Sequence, residues 1–185
     1  MYVACLGWGS LVWDPRELPV VGEWFKDGPP VRIEFARRSR DRRITLVVDD
    51  RAEQVRVLWA PLLVDSPEAA REALARREGV AADHVTTSVG LWVRDLPAPA
   101  AIPGLDRWAA PIGLDAVVWT SLRPRRDEKD TSPPTMADVL EYLAGLRGQD
   151  MLNARRYVVM APPQIDTAFR REIEATLGWV RSSPV

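Results

Sequence analysis

The chain has 185 residues, 46% of them hydrophobic, enough for one domain with a sizeable buried core, or one domain with a helical appendage, and too few for two full domains. A formal charge of -1 argues against a general polyanion binder, although all but two of the 25 basic residues are arginine and can cluster locally. A single cysteine, Cys5, and a single histidine, His84, exclude a disulfide framework, a multi-cysteine metal site and a histidine-rich zinc or iron centre.

In chain order, Tyr2 to Leu6 reads as a short apolar strand ended by the glycines of GWGSLVW. The opening apolar run, roughly a dozen residues broken by Gly7, Gly9 and Ser10, is too short for a spanning helix and unlike a signal peptide, so a cytoplasmic location is expected. Residues 14–30, with four prolines, read as loop anchored by Trp24 and Phe25. Strands are predicted at 31–35, 43–48, 55–64, 85–93 and 115–122. Between the third and fourth lies DSPEAAREALARREG, a helix capped by Ser66, started by Pro67 and stopped by Gly79. Its packed face is Ala70, Ala73, Leu74 and Arg77, the arginine contributing its aliphatic stem.

The polar break RPRRDEKDTSPP divides a core, 1–122, from an extension, 123–185. In the extension Thr135 and Asp138 suggest an imperfect capping box before a helix that runs through Leu146. A helix or extended segment follows at 150–160. A last helix is expected from Asp166 to Leu177, its apolar residues Ile165, Phe169, Ile173 and Leu177 repeating every four for packing.

The glycines around Trp8 fit neither a dinucleotide fingerprint nor a phosphate-binding loop. Two readings remain. One is a nest, in which N–H groups from Gly7 to Leu11, with the Ser10 hydroxyl, face a carboxylate or oxyanion. The other is a sharp turn with Trp8, Leu11 and Trp13 packed inward. A nucleophilic Ser10 lacks the G-x-S-x-G elbow and has only His84 as a possible base. Glu78, directly before Gly79, is either an exposed acid at a helix end or a general base. Asp49 and Asp50 read as a turn rather than a cation site, because adjacent strand side chains point oppositely. The basic cluster ARRSRDRR can be a solvated hairpin or a contact for a small anion; a nucleic-acid surface is the least favoured alternative, since no RNA-binding motif accompanies it.

Taken together, GWGSLVW, the strands, the arginine cluster and ALARREG resemble the γ-glutamylcyclotransferase-like superfamily over residues 2–122. The family's Tyr-Gly-Ser-apolar motif corresponds to Trp8, Gly9, Ser10 and Leu11, with tryptophan replacing the usual tyrosine and its phenolic hydrogen bond. Its catalytic glutamate corresponds to Glu78 in RREG.

The resemblance implies an α+β fold, a mixed β-barrel/sheet core with short helices, here followed by a C-terminal helical extension. It also implies a small γ-glutamyl-containing substrate held by Trp8, Gly9, Ser10 and Leu11, with Arg37 or Arg38 meeting a carboxylate. Glu78 would take a proton from the substrate's α-amine, which attacks the γ-carbonyl to form 5-oxoproline and release an amine. No cofactor or metal is expected, and neither nucleic acid nor membrane is an expected partner. The alternative is a non-catalytic relative that binds a small molecule or a protein.

Overall fold

Residues 1–180 are described by a computed structural model, which is α+β, with seven strands in two sheets and six helices. The chain forms two compact units, one of Met1–Val31 with Arg56–Leu122, the other of Arg32–Val55 with the chain from Arg123 on. Residues 181–185 of the expected extension lie outside the described residues.

The first unit is built on β1 (Val3–Gly7), which is buried along its whole length. It lies between β5 (Leu58–Leu62), antiparallel, and β7 (Ala116–Thr120), parallel, and β6 (Val89–Val93) completes the order β5-β1-β7-β6. A strand buried this way has no polar face to present, which is why VACLG and AVVWT read as apolar runs without alternation. Val3, Cys5, Ala116 and Val118 pack with Ala70, Ala73 and Leu74 of α1 (Pro67–Glu78), so the predicted apolar stripe does cover the sheet. A short 3-10 turn at Ala82–His84, α2 (Val85–Ser88) and α3 (Leu105–Ile112) complete this unit.

All but Pro30, Val31 and Arg56 of a second sheet belong to the second unit; its order is β3-β2-β4, formed by β2 (Pro30–Arg38), β3 (Ile44–Val48) and β4 (Gln54–Arg56). The helices of this unit are α4 (Met136–Gly145), α5 (Gly148–Met160) and α6 (Ala168–Leu177). The capping box at Thr135 and Asp138 is complete: each side chain bonds the other residue's backbone N–H.

The barrel part of the expectation is corrected. Among the described residues the strands form two open sheets, because the apolar run expected as one strand over 55–64 divides at Val57, β4 joining one sheet and β5 the other. The expected strand over 85–93 also begins late. Val85–Ser88 make one helical turn, in which the Thr87 hydroxyl donates to the His84 carbonyl, a local bond that offsets β-branched propensity. Residues 32–55 group with the chain from Arg123 on. Specific contacts account for that grouping: Phe35 packs edge-on to Tyr157, Leu46 N donates to the Tyr157 hydroxyl oxygen, and Glu34 meets Thr167.

Candidate functional site

At the end of β1 the chain turns sharply, and the first glycine is required for close approach: a Cβ on Gly7 would stand 2.5 Å from the Trp24 ring. Beyond it, Val12 N donates to the Gly9 carbonyl and Asp14 N to the Ser10 carbonyl, closing a single helical turn. Trp8 and Leu11 are buried while Ser10 and Trp13 are partly exposed, so the inward packing of the turn reading holds for Trp8 and Leu11 and only in part for Trp13. The N–H groups of Gly9, Ser10 and Leu11 donate to no acceptor among the described residues, as the first amides of a helical turn do, so the turn also retains the donors that a nest would need.

Glu78 reaches this turn through its neighbour. Ser66 accepts a bond from Ala69 N at the start of α1, and Gly79 at φ 66° ends it, its N–H directed back to Arg76. The 12-residue length these signals set places Arg77 on the buried face and Glu78 at its margin, where the Glu78 side chain is 20% exposed. Arg77 Nη2 donates to the Asp14 carbonyl at 2.6 Å and to Ser10 Oγ at 3.3 Å, while Nη1 donates to Glu78 Oε1 at 2.5 Å. One guanidinium therefore joins the turn to the carboxylate.

The same charges are felt inside the sheet. Burial pushes the Cys5 thiol far up, Glu78 adds to the rise and Arg77 opposes it, so Cys5 is a neutral thiol that donates weakly to the Leu6 carbonyl. A thiol in that state is packing, not a nucleophile. Ser10 has no bond to His84 among the described residues; His84 is exposed and lies 3.7 Å from Asp83.

Trp8, Gly9, Ser10, Leu11 and Glu78 thus belong to one unit and share one locality. Arg37 and Arg38 belong to the other. There, Arg37 Nη1 donates to the Arg123 carbonyl at 2.7 Å, and the Arg38 guanidinium lies 4.2 Å over the Tyr142 ring. Burial, then the like charges of Arg125 and Arg40, bring the Arg37 pKa down to about 10.

Asp49 is also accounted for: its carboxylate accepts Arg51 N, Nε and Nη2, and these bonds hold it below the usual carboxylate range although burial alone would raise it. No cluster of three or more potential metal ligands from His, Cys, Asp and Glu exists among the described residues. No helix among them is long and apolar enough to cross a membrane.

Sequence reasoning gave Arg77 an apolar stem and a charge near Glu78, but not its bonds to Ser10 and Asp14. The signal was present: an arginine continuing the Ala70, Ala73 and Leu74 stripe into the core must find buried acceptors for its guanidinium. No family model, curated protein or solved structure matches the chain.

Proposed function

We propose that the protein is a γ-glutamylcyclotransferase-like enzyme with Glu78 as acid and base. The observation that carries this reading is the Arg77 guanidinium, which bonds Ser10, the Asp14 carbonyl and Glu78 together. A loop with free amides and a polarised hydroxyl, fixed beside a half-buried carboxylate, has the parts that intramolecular aminolysis needs.

The substrate's γ-carbonyl oxygen, or its α-carboxylate, lies against the N–H groups of Gly9, Ser10 and Leu11. Glu78 takes a proton from the α-ammonium and the freed amine attacks the γ-carbonyl; Glu78 gives that proton to the leaving nitrogen as its C–N bond breaks, and the second proton of the ring nitrogen passes to the released amine through Glu78 or solvent. The products are 5-oxoproline and a free amine. Nucleophile and electrophile belong to one molecule, so orientation supplies much of the rate and no external co-reactant is consumed. Trp8 is buried, which suits a wall of the site rather than a hydrogen-bonding contact at its mouth. Under this reading the chain works in the cytoplasm and its fold is a variant of the superfamily's.

A second reading rests on the 2.5 Å ion pair: Oε1 of Glu78 is already engaged by Arg77, as suits a carboxylate that binds a ligand's ammonium without transferring its proton. Incubation with glutathione, γ-glutamyl dipeptides and γ-glutamyl amines, followed by mass spectrometry for 5-oxoproline, separates the two. Product from the wild type and none from a folded Glu78→Gln variant supports catalysis. Ligand binding without product supports the binding role, and full activity in Glu78→Gln removes the glutamate from the mechanism.

A further inference from the structure

The arginine-rich hairpin of the second unit encloses a feature that the Glu78 site does not use. After β2 the chain turns through Ser39 to Arg43, where Ser39 N and Arg43 O pair at 2.9 Å and Arg42 adopts a left-handed φ of 61°. The 123–130 segment runs beside it. Arg125 N donates to the Ala36 carbonyl, Arg38 N to the Arg125 carbonyl, and Arg37 Nη1 to the Arg123 carbonyl. Between hairpin and segment lies an open cleft of about 750 Å³.

Its charges are not balanced. Arg40 pairs with Glu128 at 3.0 Å and Arg42 with Asp150 at 3.2 Å. Asp127 accepts the N–H groups of Lys129 and Asp130, and its carboxylate also feels the Arg38 and Lys129 charges. Arg38 and Lys129 line the cleft without an ion pair to any described carboxylate, and Arg37 and Arg125 stand behind Arg38 in the same condition. Beside the cleft, burial and then the like charges of Arg125 and Arg40 lower the Arg37 pKa.

We propose that this cleft binds a small phosphomonoester, its dianionic phosphate gripped between the Arg38 guanidinium and the Lys129 ammonium. The Arg38 guanidinium carbon lies 4.2 Å from the centre of the Tyr142 ring, a contact that restrains the side chain, and a guanidinium fork can take two phosphate oxygens at once. Lys129 lines the same cleft from the 123–130 segment, so the two donors come from different stretches of the chain. Arg37, Arg38, Arg125 and Lys129 stand against the one carboxylate of Asp127, an excess that a dianion offsets more fully than a monocarboxylate does. The cleft volume leaves room for the organic part of the ligand, which contacts the hairpin side.

This site is independent of Glu78, and its test reads binding alone. Glycerol 3-phosphate, inorganic phosphate, glutarate and a short single-stranded oligoribonucleotide are titrated into the full chain by calorimetry, with backbone amide shifts recorded for the 38–42 and 127–129 segments. Saturable binding of glycerol 3-phosphate is expected, weakened at least about tenfold by Arg38→Gln and by Lys129→Gln and unchanged by Arg155→Gln, which removes an exposed charge elsewhere in the same unit. Equal binding of inorganic phosphate assigns the recognition to the phosphate alone and supports the site. No saturable binding of either phosphate compound, equal affinity for glutarate, indifference to both variants, or binding of the oligoribonucleotide only would each overturn the proposal. Lys129→Gln keeps the test decisive if loss of the Tyr142 stack unfolds the Arg38 variant.

Discussion

Arg77 and Glu78 are adjacent in sequence, yet one is buried and the other reaches the surface, and their side chains close an ion pair of 2.5 Å at the end of α1. The arginine directs its other amino group to Asp14 and Ser10, more than sixty residues earlier in the chain. Removing it would leave the Asp14 carbonyl and the Glu78 carboxylate without this donor.

Arg77→Met is therefore expected to destabilise the protein by about 2–3 kcal/mol, near the lower end of the range for a broken buried pair because Glu78 is partly solvated. Arg77→Lys keeps the charge but not the fork, so it should retain more stability while losing the Ser10 contact. Urea denaturation of both variants, beside 5-oxoproline formation, separates the structural loss from the catalytic one.

Glu78→Gln leaves a carbonyl oxygen for Arg77 to bond, so its denaturation midpoint should stay close to that of the wild type. Turnover of any γ-glutamyl substrate should fall about 100-fold or more, the scale of general acid-base catalysis.

Gly90 faces Trp119 across β6 and β7, and a Cβ there would lie 2.1 Å from the indole. Gly90→Ala is expected to cost about 2 kcal/mol or more through overpacking. Combining it with Trp119→Leu should recover part of that loss, a coupling that a double-mutant cycle measures directly.

Glu34 sets a pH dependence of opposite sign to that of Asp49. Burial raises the Glu34 carboxyl above its ordinary value, against the bonds from the Thr167 hydroxyl, Phe35 N and Phe169 N, with Asp49 adding to the rise. The folded state thus holds this proton more tightly than the unfolded chain, and its contribution to stability declines as pH rises from the ordinary glutamate range through the raised value. Asp49, held low by Arg51, contributes stability that is lost as pH falls through its lowered value. Chemical denaturation of wild type and Glu34→Gln across pH 4–8 should show a flatter profile for the variant over the Glu34 window. An unchanged profile would remove Glu34 as its source.

Ser66→Ala is expected to cost about 1 kcal/mol by freeing the Ala69 amide at the start of α1. Gly79→Ala should cost a similar ~1 kcal/mol because the residue sits at φ 66°. Thermal denaturation checks both, and the second bears on the site, since Gly79 fixes where Glu78 ends the helix.

Local signals were sufficient for α1, where Ser66, Pro67 and Gly79 mark its limits, and for the central strands, whose apolar runs have no solvated face. They failed where distant partners decide. Nothing local tells VRVLWAPLLV to divide at Val57, and the α3 segment received no reading at all. Trp8 to Leu11 and Glu78 could be picked out from residue type and order, and Arg77 as their neighbour in the helix, but its bonds to the turn could not. Its partners, Ser10 and Asp14, are brought to it by the tertiary fold.

Glu34 and Thr167 are 133 positions apart, and their contact draws the β2–β3 hairpin to the start of α6. On the ribosome the hairpin therefore emerges long before the helix that covers it, and Phe35, whose ring meets Tyr157, must wait with it. The first unit's sheet can assemble once β7 has been made. A nascent chain stalled there would carry an exposed apolar hairpin, a binding target for chaperones until synthesis delivers the last helix.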